Sequence, residues 1–258
     1  MTKGFVRTFG EGPEQVFALH CSLAHSGTWA GVAQKLAPHV TMQAMDLPGH
    51  RKSPAPERPE AMGDEATDWA KSILTQPTHL FGHSFGGYVA LRLAVERPEM
   101  VLSLSLYEPV FFAAGEHWAP DLFATHIEEM RVLERHMREG NPEAAARGFV
   151  ADWGAGLPWE AMPSDMRGAM IKGMPLVMGS TEALYEDKAG VLEKLSTLTI
   201  PVLLMDGAQS HAIVKPIQDC LADKISGARR VTLPKAGHMG AISHPKKVAE
   251  AFAQTMGL

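Results

Sequence analysis

The sequence predicts an α/β protein built on a mostly parallel, doubly wound sheet, and three observations carry that expectation. Short runs rich in β-branched and aliphatic residues alternate with longer amphipathic runs. The short runs are continuously apolar, as strands covered on both faces must be. No internal repeat or low-complexity segment breaks the alternation.

Taken in order, "VFALH" (16–20) reads as a buried strand, "TWAGVAQKLAPH" as a helix, and "VTMQAMD" as the next strand, ending at Asp46. The loop "LPGHRKSPAPERP" is dense in turn residues. A helix is expected over about 60–74, a strand in "THLFG", and a helix in "FGGYVALRLAVERP", whose Tyr88, Leu91 and Val95 share a face until Pro98. "VLSLSLYE" supplies another strand. From 111 to 198 only amphipathic stretches appear, so a helical cap is expected there, inserted between two strands of a core formed by 1–110 and 199–258. Strands resume in "IPVLLMDG" and "RRVTLP", with helices in "VKPIQDCLADKI" and "HPKKVAEAFAQTM". The whole sheet should hold about seven or eight strands.

Composition limits the partners. The chain has 258 residues, 45% of them hydrophobic, with a net charge of −5 and a pI near 6.2. That balance gives no general attraction to nucleic acid or to an anionic membrane. The first twenty residues lack an apolar secretory segment, and no window approaches a membrane span, so a cytoplasmic location is expected. Cys21 and Cys220 are too few and too far apart for a disulfide framework and read as reduced thiols. The expected partner is a small-molecule substrate.

The chemistry begins at "LFGHSFGG" (80–87), where Ser84 stands between Gly82 and Gly86 at a strand-to-helix junction. A sharp turn there needs residues without Cβ atoms on either side of a strained apex. The apex side chain is raised above the carboxyl edge of the sheet, beside the free N–H groups of the next helix. A hydroxyl in that place is a candidate nucleophile, where the plainer alternative is a tight turn with an incidental serine.

At this point the chain resembles the α/β-hydrolase superfamily. "HCSLAHSGTW" is similar to the family's oxyanion segment, "DLPGHRKS" to its Asp-x-x-Gly-His-Gly-x-Ser loop, and "AGHMGAISHP" to the loop that bears its catalytic His. The resemblance implies an α/β-hydrolase fold, with Ser84 as nucleophile, His238 as base, and the N–H groups of Ser22 and Phe85 as oxyanion hole. It implies no cofactor and no metal, and the remaining histidines carry no metal-binding spacing. Cys21 and Arg51 stand where the family has glycine, and at position 21 a left-handed backbone would be costly. The family's usual turn acid is replaced by Ser210. Relatives that take the acid from the preceding strand point to Glu108, with Asp206 as the other candidate and a purely structural tie to the cap hinge as the alternative role for Glu108.

Met166, Met170, Met174 and Met178 recur at helical spacing in the cap, either lining an apolar pocket or packing its core, with Pro175 expected to interrupt the helix. The reading that follows is a serine hydrolase of a small, largely apolar ester or thioester, acting through an acyl-enzyme. The alternatives are a C–C bond hydrolase with the same residues, or a non-catalytic ligand-binding protein that kept the fold.

Overall fold

Val16 and Ala18 enter one apolar cluster while their neighbours Phe17 and Leu19 enter another on the opposite face of the sheet. Phe81 and Leu80 divide in the same way, as do Leu203 and Met205 against Leu204. Strands with two buried faces must be apolar throughout, which is why these runs lack polar alternation. The computed structural model describes residues 4–258.

In chain order the elements are β1 (Val6–Phe9), β2 (Glu14–Leu19), α1 (Ala30–Leu36), β3 (Val40–Met45), α2 (Met62–Ile73), β4 (Thr78–His83), α3 (Phe85–Glu96) and β5 (Val101–Tyr107). Then follow α4 (Phe112–Trp118), α5 (Pro120–Arg138), α6 (Pro142–Trp153), α7 (Ser164–Gly179), α8 (Thr181–Tyr185) and α9 (Val191–Lys194). The chain closes with β6 (Val202–Gly207), α10 (Val214–Lys224), β7 (Arg229–Leu233), α11 (Gly240–Ser243) and α12 (Pro245–Met256).

The seven strands are ordered β1-β3-β2-β4-β5-β6-β7, with β1 antiparallel to β3 and every other pair parallel. Helices α1 and α12 cover one face, and α2, α3 and α10 the other. Trp29, Phe81 and Phe252 join the turn before α1 to β4 and α12, with successive ring centroids 4.6 Å apart. The sheet is therefore doubly wound, as the sequence predicts. Strand β1 is not foreshadowed in the sequence reading; its four residues form an edge that pairs Val6 with Met45 and Phe9 with Met42.

Between β5 and β6 every regular element is a helix. Helix α4 packs on α10, whereas α5, α6 and α7 stack in succession. Ala145, Ala146, Trp159, Met162, Met174 and Val177 form a separate apolar cluster within this segment. Pro175 does not interrupt α7, contrary to the expectation from sequence. The missing N–H leaves the Ile171 carbonyl without its helical partner, and the flanking Met174 and Val177 are anchored in that cluster, which holds the helix through the defect.

Strand register sets the position of the site. His83 pairs with Tyr107, and Tyr107 with Met205, at the carboxyl ends of β4, β5 and β6. One residue further along adjacent strands lie Ser84 and Glu108, so parallel pairing alone delivers both to the same edge.

Candidate active site

Strand β4 passes into α3 through one residue. Ser84 has φ 56° and ψ −121°, a conformation costing about 1–3 kcal/mol for a residue with a side chain. Its glycine neighbours make the turn possible. A Cβ on Gly82 would sit 2.5 Å from the Gly86 carbonyl oxygen, and one on Gly86 would sit 2.4 Å from the carbonyl oxygens of Leu19 and His20. The start of α3 is thus pressed against the end of β2, bringing Phe85 beside the loop that carries Ser22.

Ser84 Oγ lies 2.9 Å from His238 Nε2, and His238 Nδ1 lies 2.8 Å from Glu108 Oε2. With a carboxylate on the Nδ1 side, the imidazole holds its proton there, leaving the Nε2 lone pair to accept from the serine hydroxyl. The second carboxylate oxygen is also occupied. Gly207 N–H donates to Glu108 Oε1 at 2.7 Å, and the Ser210 hydroxyl donates to the same oxygen. All three groups are buried, with Ser84 and His238 each 5% exposed and Glu108 1%.

Asp206 lies elsewhere. Its Oδ1 accepts from Thr232 Oγ1 at 3.0 Å, and burial raises its pKa. Residue 206 belongs to β6 itself and pairs with Thr232 on β7, and its carboxyl is engaged by that neighbouring strand. Ser210 occupies the turn where the family resemblance places an acid, and here its hydroxyl braces Glu108.

Two further residues, His83 and Tyr107, hold the loop that carries the imidazole. His83 Nε2–H donates to the His238 carbonyl at 2.8 Å, and Tyr107 O–H donates to the Gly237 carbonyl at 2.9 Å. Burial, with His238 beside it, pushes the His83 pKa down to about 3, so its ring is neutral at ordinary pH. Trp153, at the end of α6, meets the His238 ring edge-on with centroids 4.8 Å apart. Nothing in the local sequence of Trp153 signals that contact, because it depends on how the helical segment folds back over the sheet.

Around Ser22, two buried histidines fix the backbone. His20 Nδ1–H donates to the Cys21 carbonyl at 2.7 Å while His20 Nε2 accepts from Leu47 N–H at 2.9 Å. His50 Nδ1–H donates to the Pro48 carbonyl at 2.9 Å, and its Nε2 accepts from Leu23 N–H at 3.1 Å. Burial keeps both rings neutral, which both arrangements require. Among the described residues, neither Ser22 N–H nor Phe85 N–H donates to a protein acceptor. The left-handed residue of this loop is Leu23, with φ 63°, so Cys21 avoids the strain that its replacement of glycine suggested. Arg51 does take a left-handed conformation, with φ 48°, at the other position where the family has glycine.

Cys21 and Cys220 are both free and buried, and burial raises their thiols to about 12 and about 11, leaving them inert. Of the four α7 methionines, Met174 is fully buried in the helical segment's own cluster, Met170 and Met178 pack against that cluster, and Met166 is 43% exposed. No helix among the described residues is long and apolar enough to cross a membrane.

An elbow serine, an imidazole from the last loop and a carboxylate at one sheet edge define a hydrolase of the α/β class. The sequence profile of the Alpha/beta hydrolase family matches residues 16–251, and the chain belongs to that family. It is similar to the pimeloyl-[acyl-carrier protein] methyl ester esterases of Aeromonas salmonicida (strain A449), 28% identical, with 98% of each chain covered, and of Pectobacterium atrosepticum, 29% identical, with 96% of this chain and 97% of the relative covered. Among solved structures, an esterase from Exiguobacterium antarcticum superposes with a TM-score of 0.80 at 18% identity, covering 99% of this chain and 96% of the other. The enol-lactonase from Burkholderia xenovorans LB400 gives 0.75 at 20% identity, with the same coverage. At those identities the two structures speak to the fold.

Proposed function

We propose that this α/β hydrolase cleaves a small, largely apolar carboxylic ester or thioester through an acyl-enzyme, with Ser84 as nucleophile, His238 as general base and acid, and Glu108 as the carboxylate partner. The observation that carries the reading is the unbroken chain of 2.9 Å and 2.8 Å contacts from Ser84 through His238 to Glu108.

In this scheme His238 Nε2 takes the hydroxyl proton as Ser84 Oγ attacks the carbonyl carbon. Negative charge develops on the carbonyl oxygen, and Ser22 N–H and Phe85 N–H, which have no acceptor among the described residues, receive it. Glu108 stabilises the imidazolium that results, with Gly207 N–H and the Ser210 hydroxyl keeping the carboxylate fixed. His238 then returns the proton to the departing alcohol or thiol, and water repeats the sequence on the acyl-enzyme. The segment 111–198 serves as a cap over a core formed by the rest of the described chain, with Trp153 against the His238 ring. The methyl ester named for the curated relatives is the first physiological ester to try, beside simple p-nitrophenyl esters.

The test is hydrolysis of p-nitrophenyl acetate, butyrate and octanoate by wild type and Ser84→Ala, with fluorophosphonate labelling read by mass spectrometry. Wild type should turn over and carry the label on Ser84, and the variant should do neither. Absence of both in well-folded wild type would favour the non-catalytic reading.

A further inference from the structure

We propose that His126, Glu129 and His211 form a divalent transition-metal site that, when filled, fastens helix α5 to the loop after β6. Their donor atoms all lie within 4.8 Å of one another. The sequence hides this grouping, because His126 and Glu129 are one turn apart on α5 while His211 lies far along the chain in the loop that precedes α10.

Two of the three edges already have metal-site dimensions. Glu129 Oε2 lies 3.3 Å from His126 Nδ1 and 3.2 Å from His211 Nε2. Tetrahedral ligands at 2.0–2.1 Å from zinc stand about 3.3 Å apart, so one carboxylate oxygen is correctly spaced from both nitrogens. Read as hydrogen bonds, the same contacts are long for charge-assisted pairs. Two imidazoles and one carboxylate select zinc, nickel, cobalt or copper over calcium and magnesium, which prefer oxygen. Three protein ligands leave a fourth position for water.

A second observation supports His126 as a ligand. Its other ring nitrogen, Nε2, lies 2.8 Å from the Tyr185 hydroxyl. A ligating histidine usually donates its remaining N–H to such a partner, which fixes both ring orientation and tautomer. His211 is oriented by stacking on Trp153, with centroids 5.2 Å apart and 22° between planes. Its Nδ1 accepts from Ile213 N–H at 3.3 Å, a long contact that gives way when the metal takes Nε2.

The proposal rests on no reading of the reaction. It is tested on tag-free protein dialysed against a chelator, by calorimetric titration with zinc chloride and by thermal melts with and without zinc. Wild type should bind one equivalent and melt several degrees higher when loaded. Glu129→Gln removes the shared oxygen from a half-exposed position and should weaken binding at least tenfold and abolish the rise in Tm. Tyr185→Phe keeps all three ligands and should weaken binding roughly tenfold. Zinc heats and Tm shifts that are the same in wild type and Glu129→Gln, or the absence of binding to wild type at millimolar zinc, would overturn it.

Discussion

Replacing Glu108 by Gln puts the proposed acid under the sharpest test. The carboxylate accepts on both sides: Oε2 from His238 Nδ1–H, and Oε1 from Gly207 N–H and the Ser210 hydroxyl. An amide has one oxygen and one NH2. If its oxygen faces Gly207, the NH2 faces His238 and requires an Nδ1 lone pair, so the ring proton moves to Nε2 and the imidazole cannot accept from Ser84. If the amide turns over, its NH2 meets the Gly207 N–H at about hydrogen-bond distance, and two buried donors oppose each other at a cost of about 1–3 kcal/mol. The first orientation is favoured, and it is the inactive one. The expected loss in kcat is about 10⁴-fold, the size seen when a triad carboxylate becomes an amide elsewhere, equivalent to about 5.4 kcal/mol of barrier. KM should hardly change, since the substitution does not touch the ester. The assay is steady-state p-nitrophenyl butyrate hydrolysis, with Asp206→Asn as companion. If Glu108→Gln keeps kcat within tenfold of wild type, or if Asp206→Asn loses more, the assignment of the acid is refuted.

Gly86→Ala places a Cβ against two carbonyl oxygens of the β2 end, and overpacking of about 2–3 kcal/mol should lower Tm by about 4–12 °C, read by differential scanning fluorimetry. Tyr107→Phe removes the hydrogen bond to the Gly237 carbonyl; the fold should survive a loss of about 1 kcal/mol while kcat falls several-fold, as the His238 loop loses a tether. Acid should destabilise the protein through His83. Its pKa is about 3 when folded and near 6.5 when unfolded, so between those values the unfolded chain binds more protons and stability falls with pH, by roughly 2 kcal/mol at pH 5 from this residue. Melts from pH 7.5 to 5 should show a shallower decline in His83→Asn than in wild type, and equal slopes would contradict the burial of a neutral ring.

How much of this was legible in the sequence depends on how local each cause is. The elbow at Ser84 is largely local: two glycines, an apolar strand and an amphipathic helix are contiguous, and Gly82 is required by Gly86 and Gly87 themselves, although Gly86 answers to the distant end of β2. Glu108 was legible less directly, through Ser210 standing where an acid is usual, and its neighbour-strand position made it available. Strand β1 escaped because four residues, three half-buried and one exposed, carry almost no periodic signal and pair only once β3 exists. The bend at Leu23 escaped because a leucine gives no hint of positive φ; the conformation is imposed from outside by His50, 27 residues away, holding its N–H. Trp153 over His238, and the meeting of His126 with His211, are tertiary in the same sense, set by helix packing that no short window records.

Glu108 sits only four residues before α4, the first helix of the long insertion, and its own backbone is left-handed, with φ 45°. Had the acid come from the turn after β6, the inserted helices could be exchanged for those of another enzyme like an attachment on a frame. Here the graft point and the proposed acid share one short tether. A chimera that joins upstream of residue 108 would therefore import a foreign electrostatic partner along with the foreign roof, whereas a junction at 110 or beyond would leave the chemistry with its original owner.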